Sequence, residues 1–189
     1  MPQKIPPVLR LRVMSGVCYT DRNTGGESSG GNTQNPKGQE NLLLLADDQE
    51  EMIERYLELE RGALFLLSEL GARRAAAVVT QESGTVCELK NLAVEPEFQR
   101  RGYGRARVGW LAGHYRSRFE TMQVGTGEAP STLAFYQSYG FSPSHRISGF
   151  FTIHYDHPIV EDGVLLADMA VLSMPLTAAP IVTFREGFL

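Results

Sequence analysis

A strand-like run, residues 85–94, passes straight into the polar segment Glu95-Pro96-Glu97-Phe98-Gln99-Arg100-Arg101-Gly102-Tyr103-Gly104, which in turn opens a helix. In that helix Val108, Leu111, Ala112 and Tyr115 recur at helical spacing and give it one apolar face. A strand that ends at a glycine turn before a helix predicts an anion site. The first-turn N–H groups of the helix have no intrahelical acceptor and carry partial positive charge. Gly102 and Gly104 remove side chains that would keep a phosphate away from the main chain. Arg100, Arg101 and Arg105 add countercharge. The segment is not a dinucleotide fingerprint, because G-x-G-x-x-G would need glycine where Arg107 stands. Nor is it a Walker A loop, which needs a longer glycine spacing ending in Gly-Lys-Ser/Thr.

The flanking sequence predicts the rest of a mixed sheet. Residues 8–13 read as a short first strand, and residues 21–40 as a loop. That loop contains no Val, Ile, Leu, Met, Phe, Tyr or Trp, so it has little to bury against the entropy of ordering it. Asp47, Asp48, Glu50 and Glu51 followed by Met52, Ile53, Tyr56 and Leu57 predict a helix stopped at Gly62. Residues 63–67, 75–80 and 85–94 predict a three-strand meander. After the glycine turn and its helix come a strand at 121–124, a helix at 131–139 stopped by Gly140, and late strands at 150–155 and 164–173. A meander followed by a strand–helix–strand crossover implies an α/β, or α+β, mixed sheet with helices on its faces.

Composition narrows the function. The chain has 189 residues and a net charge of −4, which suits a single domain and disfavours a nucleic-acid partner. Two cysteines, Cys18 and Cys87, are too few for a disulfide scaffold or a usual four-ligand zinc site, so no metal is expected. No run approaches the roughly 18–20 apolar residues of a membrane span, and the N-terminal sequence lacks a signal peptide's apolar core. The expectation is a cytoplasmic protein without a membrane partner. The whole chain, 1–189, reads as one domain with an insertion at 21–40 and a tail at 176–189. That tail could cap a core edge or meet a second subunit in a homodimer.

Three motifs together carry a resemblance. Gln99-Arg100-Arg101-Gly102-Tyr103-Gly104 resembles the Q/R-x-x-G-x-G/A signature of the GNAT superfamily of acetyl-CoA-dependent N-acetyltransferases. Asn91-Leu92-Ala93-Val94-Glu95-Pro96 resembles the strand that leads into that loop. Leu133-Ala134-Phe135-Tyr136-Gln137-Ser138-Tyr139-Gly140-Phe141 resembles the family's A-x-x-F/L-Y-x-x-x-G-F helix and turn. The likeness covers residues 41–175, and the later pattern around Val124-Gly125-Thr126-Gly127 and His154-Tyr155-Asp156 is similar to a largely uncharacterised bacterial subgroup. It implies a GNAT-like, mostly antiparallel sheet of six to seven strands flanked by helices.

The resemblance also implies roles. Backbone groups of Leu92, Ala93 and Val94 would pair with the pantetheine arm of acetyl-CoA. Gln99 and the amides of Arg100, Arg101, Gly102, Tyr103, Gly104 and Arg105 would hold the pyrophosphate. The acetyl group would pass to a primary amine, on a small molecule or a peptide, by direct attack through a tetrahedral intermediate. Glu88 matches the family's general base, with a carboxylate merely paired to Lys90 as the alternative. Tyr136 matches the general acid, with an aromatic core residue as the alternative. Many members hold the CoA arm with an asparagine seven residues before that tyrosine, where this chain has Ala129. The competing function is an acyl-CoA-binding sensor or interaction module without efficient transfer. Cys87 is expected to be a small buried strand residue. His145, His154 and His157 show no recurring metal spacing, though His154, Thr152 and Asp156 on one face of a strand could form a polar wall of the acceptor cleft.

Overall fold

The computed structural model describes residues 19–20, 42–47, 49–58, 62–69, 72–177 and 179. The elements run β1 (Tyr19–Thr20), α1 (Glu50–Glu58), β2 (Gly62–Glu69), β3 (Ala72–Gln81), β4 (Val86–Val94), a 3-10 turn (Pro96–Phe98) and α2 (Tyr103–Tyr115). They continue with β5 (Thr121–Gly127), α3 (Pro130–Tyr139), β6 (Ser142–Ile147), α4 (Phe150–His154), β7 (Val160–Glu161), β8 (Val164–Leu165) and β9 (Met169–Pro175). Seven strands form one sheet in the order β1-β2-β3-β4-β5-β9-β6, and β7 and β8 form a separate hairpin. Every neighbouring pair in the large sheet is antiparallel except β4 and β5, which α2 joins as a crossover. This is the mixed sheet that the element order implies, and it is mostly antiparallel as the GNAT resemblance implies.

The sheet buries both of its faces. Val108, Leu111 and Ala112 of α2 pack with Val79, Leu89, Met122, Val124 and Leu172 on one face. Each such Val, Leu or Met side chain removed from water contributes roughly 1.5–3 kcal/mol. On the other face Leu42, Leu43 and Ile53 cover Ala76, Val78 and Ala93. Between these faces β4 changes its alternation. The register steps from Val79↔Leu89 to Val78↔Asn91, so Lys90 is an extra residue opposite β3. Before this bulge odd-numbered residues face α2; after it, even-numbered Leu92 does so and Ala93 turns to the α1 side.

The same bulge marks the end of the β4–β5 ladder. The parallel pairing covers only Val86↔Thr121 to Leu89↔Val124, while β5 continues to Gly127 alongside β9. From residue 90 onward β4 is held by β3 alone, and its β5-facing edge opens as a fork.

Several expectations are corrected. The strand predicted over 150–155 is the helix α4. Gly149, in the left-handed region at φ 68°, donates its N–H to Asp168, and this turn starts a helix instead of an extended run. Phe151 and Tyr155, four apart, bring their rings to 5.4 Å. Thr152, His154 and Asp156 therefore do not share a strand face, and the polar wall expected of His154 does not form. The strand predicted over 164–173 is divided into β8 and β9. Gly62 begins β2 and does not stop α1. The sequence reading missed β6, an exposed edge strand with Pro143 and no buried face to mark it. The predicted first strand at 8–13 and the loop at 21–40 lie outside the described residues, as does most of the tail from 176. Leu176 and Ala179 of that tail join the α2-side core.

Candidate active site

The glycine turn is built as the sequence suggests. Gly102 caps α2 in the left-handed region at φ 90°, where a side chain costs about 1–2 kcal/mol. The first helical bond runs from the Ala106 N–H to the Gly102 carbonyl, so the amides of Tyr103, Gly104 and Arg105 precede the intrahelical ladder. Gly104 is different from Gly102: a Cβ there would make only ordinary contacts, 3.5 Å from Phe135 and 3.7 Å from Val94. The protein itself therefore leaves room for a side chain at Gly104.

The arginines of the turn are not equivalent. Arg100 is exposed and adopts φ 60°. Arg101 lies 5.3 Å over the Phe98 ring. The Arg105 guanidinium is drawn to the C-terminal end of α3, donating to the Ser138 carbonyl at 3.4 Å and to its hydroxyl at 3.3 Å. Gln99 turns back along the strand, and its Nε2 donates to the Val94 carbonyl at 3.1 Å.

Glu88 lines the cavity on the α1 side of the sheet, and Tyr136 belongs to the α2-side core. Glu88 is 8% exposed and sits beside Gln123, its β5 partner in the register. Gln123 Nε2 donates to one carboxylate oxygen at 2.7 Å, and Lys90 Nζ lies 2.9 Å from the other. Lys90 also reaches Glu82 at 3.3 Å, which accepts a 2.6 Å hydrogen bond from the buried hydroxyl of Thr80. Tyr136 packs in the same cluster as Leu89 and Val124, the last paired residues before the fork. Burial, reinforced by the negative charge of Glu161, pushes its phenol pKa far above the usual tyrosine value. The group stays protonated.

On the Glu88 side lies a cavity of about 650 Å³. Its walls come from residues 44–47 and α1, from Glu88 and Lys90 with residues 125–127 of β5, and from α4 with the segment that follows it. No residue of the glycine turn lines it. Asn91 fixes one wall by donating from Nδ2 to the Leu43 carbonyl at 3.1 Å. The Tyr155 hydroxyl donates to Asp47 at 3.1 Å and joins that wall to the α4 segment. Gly125 and Gly127 have a local reason. A Cβ at 125 would stand 2.6 Å from the Met169 sulfur, and one at 127 would stand 2.3 Å from Leu166. These glycines let Met169 and Leu166 lie flat against β5 and shape the cavity.

The remaining expectations are placed as follows. Cys87 is fully buried among core side chains, and burial pushes its thiol up to about 12. It is not a nucleophile at neutral pH. Arg107 is 3% exposed, with its guanidinium 5.5 Å from the Trp110 ring. Ala129, at the asparagine position, caps α3 without a side-chain hydrogen bond. The β7–β8 hairpin supplies the missing acceptors: Asp162 receives the Ser131 N–H at 2.8 Å, and Glu161 accepts from the Thr132 hydroxyl. Sequence reasoning missed Gln123 and Asp162, whose partners Glu88 and Ser131 lie 35 and 31 residues away. Among the described residues no group of three His, Cys, Asp or Glu could hold a metal ion, and no helix is long and apolar enough to cross a membrane.

Comparison with known proteins agrees with this architecture. A family model described as an acetyltransferase (GNAT) domain matches residues 60–143. The uncharacterized N-acetyltransferase YvbK of Bacillus subtilis is 30% identical over 137 residues, 71% of this chain and 87% of that protein. A GNAT family acetyltransferase from Elizabethkingia anophelis, solved with acetyl-CoA bound, has a TM-score of 0.70 at 28% identity and covers 85% of this chain and 97% of its own. An IAA acetyltransferase from Bacillus cereus has a TM-score of 0.68 at 30% identity and covers 75% and 93%. The chain belongs to the GNAT acetyltransferase family and is an acyltransferase.

Proposed function

We propose that the chain transfers an acetyl group from acetyl-CoA to a primary amine by direct attack of the neutral amine on the thioester. The observation that carries this reading is the fork between β4 and β5, opening beside the N-terminus of α2. On the free edge of β4, backbone groups of Leu92, Ala93 and Val94 would pair with the extended pantetheine arm. The amides of Arg100, Arg101, Gly102, Tyr103, Gly104 and Arg105 would receive the pyrophosphate, with the helix dipole contributing. The Gln99 side chain would hold the turn against Val94.

The amine forms the new bond to the acetyl carbon, and the carbon–sulfur bond breaks with its electron pair leaving on sulfur. Glu88 would take the proton that the amine loses. Lys90 and Gln123 occupy only part of its acceptor capacity, since a carboxylate offers about four lone-pair sites. Tyr136 would donate a hydrogen bond to the departing thiolate. Because its pKa is raised, its contribution is stabilisation of developing charge more than rapid proton donation. Most of the acceleration would come from holding both reactants at the fork.

Incubation with acetyl-CoA and a panel of primary amines should release free CoA thiol in an amine-dependent manner. Acetyl-CoA should also raise Tm. Absence of thiol release across small amines and peptides would defeat the transfer reading and favour a sensor that binds acyl-CoA.

A further inference from the structure

The cavity beside Glu88 differs in chemistry from a site for polycations. Among the described residues its lining holds three carboxylates, each already with a protein donor. Asp47 accepts from Tyr155 and from the Gln49 N–H, Glu88 from Gln123 and Lys90, and Glu161 from Thr132. Two cations, Arg55 and Lys90, share the lining, so among the described residues five charged side chains sum to −1. A polyamine or aminoglycoside would bring several ammonium groups to this wall and find one uncompensated negative charge. The rest of the cavity is mainly apolar. Phe150 and Phe151 present aromatic surface, Met52 and Met169 are adaptable thioethers, and Leu166 closes the floor over Gly127.

From this we infer that the acceptor is a monoamine carried on an apolar, aromatic-sized body, the aralkylamine class, held by the Phe150–Phe151 wall with its nitrogen directed toward Glu88. This deepens the acetyl-transfer reading and rests on it. Lys90 then acts as a specificity-determining residue, because it cancels the charge on Glu88 that would otherwise attract a polycation. The apolar wall provides affinity through burial, and the single amine meets the single available base.

Two measurements on the full chain separate the inference from the reading beneath it. Calorimetry on the CoA-saturated protein compares tryptamine with spermidine, and the thiol-release assay follows transfer to each. We expect tryptamine to bind at least tenfold tighter. Phe151→Ala should remove most of that advantage with the acetyl-CoA affinity retained. Lys90→Gln should raise spermidine affinity several-fold. Spermidine binding as tightly as tryptamine, or tryptamine binding unaffected by Phe151→Ala, overturns the substrate class even if some amine is acetylated. Tryptamine binding with the expected preference but no thiol release from any amine upholds the cavity's selectivity and defeats the transfer reading instead.

Discussion

The ammonium group of Lys90 stands 2.9 Å from a carboxylate oxygen of Glu88, and Lys90 is the residue that the β4 bulge inserts. The bulge thus does two things at one place. It ends the pairing of β4 with β5, and it supplies the counterion for the carboxylate at the mouth of the fork.

Glu88→Gln keeps the size of the side chain but removes its charge and proton affinity. Without the base, the reaction depends on amine that is already neutral. The loss should therefore be greatest well below the ordinary amine pKa of about 10, roughly tenfold or more, and should shrink as pH rises toward it. A pH–rate profile of kcat/KM checks this. A small loss, uniform across pH, would leave Glu88 as a structural partner of Lys90 and Gln123.

Tyr136→Phe removes only the hydroxyl from a ring that packs against Phe135 and Phe141 at 5.0 and 5.6 Å. The ring contacts remain, so Tm should change little. Turnover should fall by about tenfold or more, with the acetyl-CoA Kd nearly constant. Unchanged kcat would assign Tyr136 to the core alone. The raised phenol pKa also has a stability consequence. The folded state holds this proton more tightly than the unfolded chain, so the contribution is complete below the ordinary value of about 10 and is lost as pH rises above it.

The two glycines of the turn should separate conformation from ligand contact. Gly102→Ala forces a side chain into φ 90° and should cost about 1–2 kcal/mol of stability as well as acetyl-CoA affinity. Gly104→Ala meets only ordinary van der Waals contacts and replaces a weak helix former, so the free protein should be as stable or gain up to about 1 kcal/mol. Its acetyl-CoA affinity should nevertheless fall. Thermal melts with and without acetyl-CoA test both; retained affinity in Gly104→Ala would remove Gly104 from the phosphate cradle.

Asp162 couples the β7–β8 hairpin to α3 by accepting the Ser131 N–H. Hydrogen bonding from the Ser131 side chain, and then from its N–H, holds the Asp162 carboxyl below the usual aspartate range. The stabilisation is therefore present above the ordinary aspartate pKa and is lost as pH falls through the lowered one. Asp162→Asn, which keeps an acceptor but removes the charge, should lower Tm near neutral pH. The difference from the parent protein should close in acid. A constant difference at all pH values would point to a steric cause.

The parts that were legible share one property: their signal is local. The Gln99–Gly104 turn, the apolar stripe of α2 and the Gly140 stop of α3 each depend on residues a few positions apart. The meander was legible because β2, β3 and β4 follow one another in space and in sequence. What was hidden depends on distant partners. Phe150 and Phe151 have the composition of a strand, but the Gly149–Asp168 contact and the Phe151 N–H to Ala167 carbonyl bond fix this segment as a helix through partners distant in the chain. The Lys90 bulge is visible only as a shift against β3. Lys90 was anticipated as a partner for Glu88, but Gln123 came from the crossover register, 35 residues away.

The reversal of alternation at Lys90 has a consequence for how such a protein can diversify. Before it, Glu88 faces the cavity proposed for the acceptor; after it, residues 92–94 form the edge proposed for the thioester donor. One strand thus serves two tenants, and the extra residue is the partition between them. Substitutions that reshape one compartment need not disturb the other's orientation. Deleting that one residue would exchange inward and outward for everything downstream, so it is the length of this segment, more than its individual side chains, that descendants must inherit.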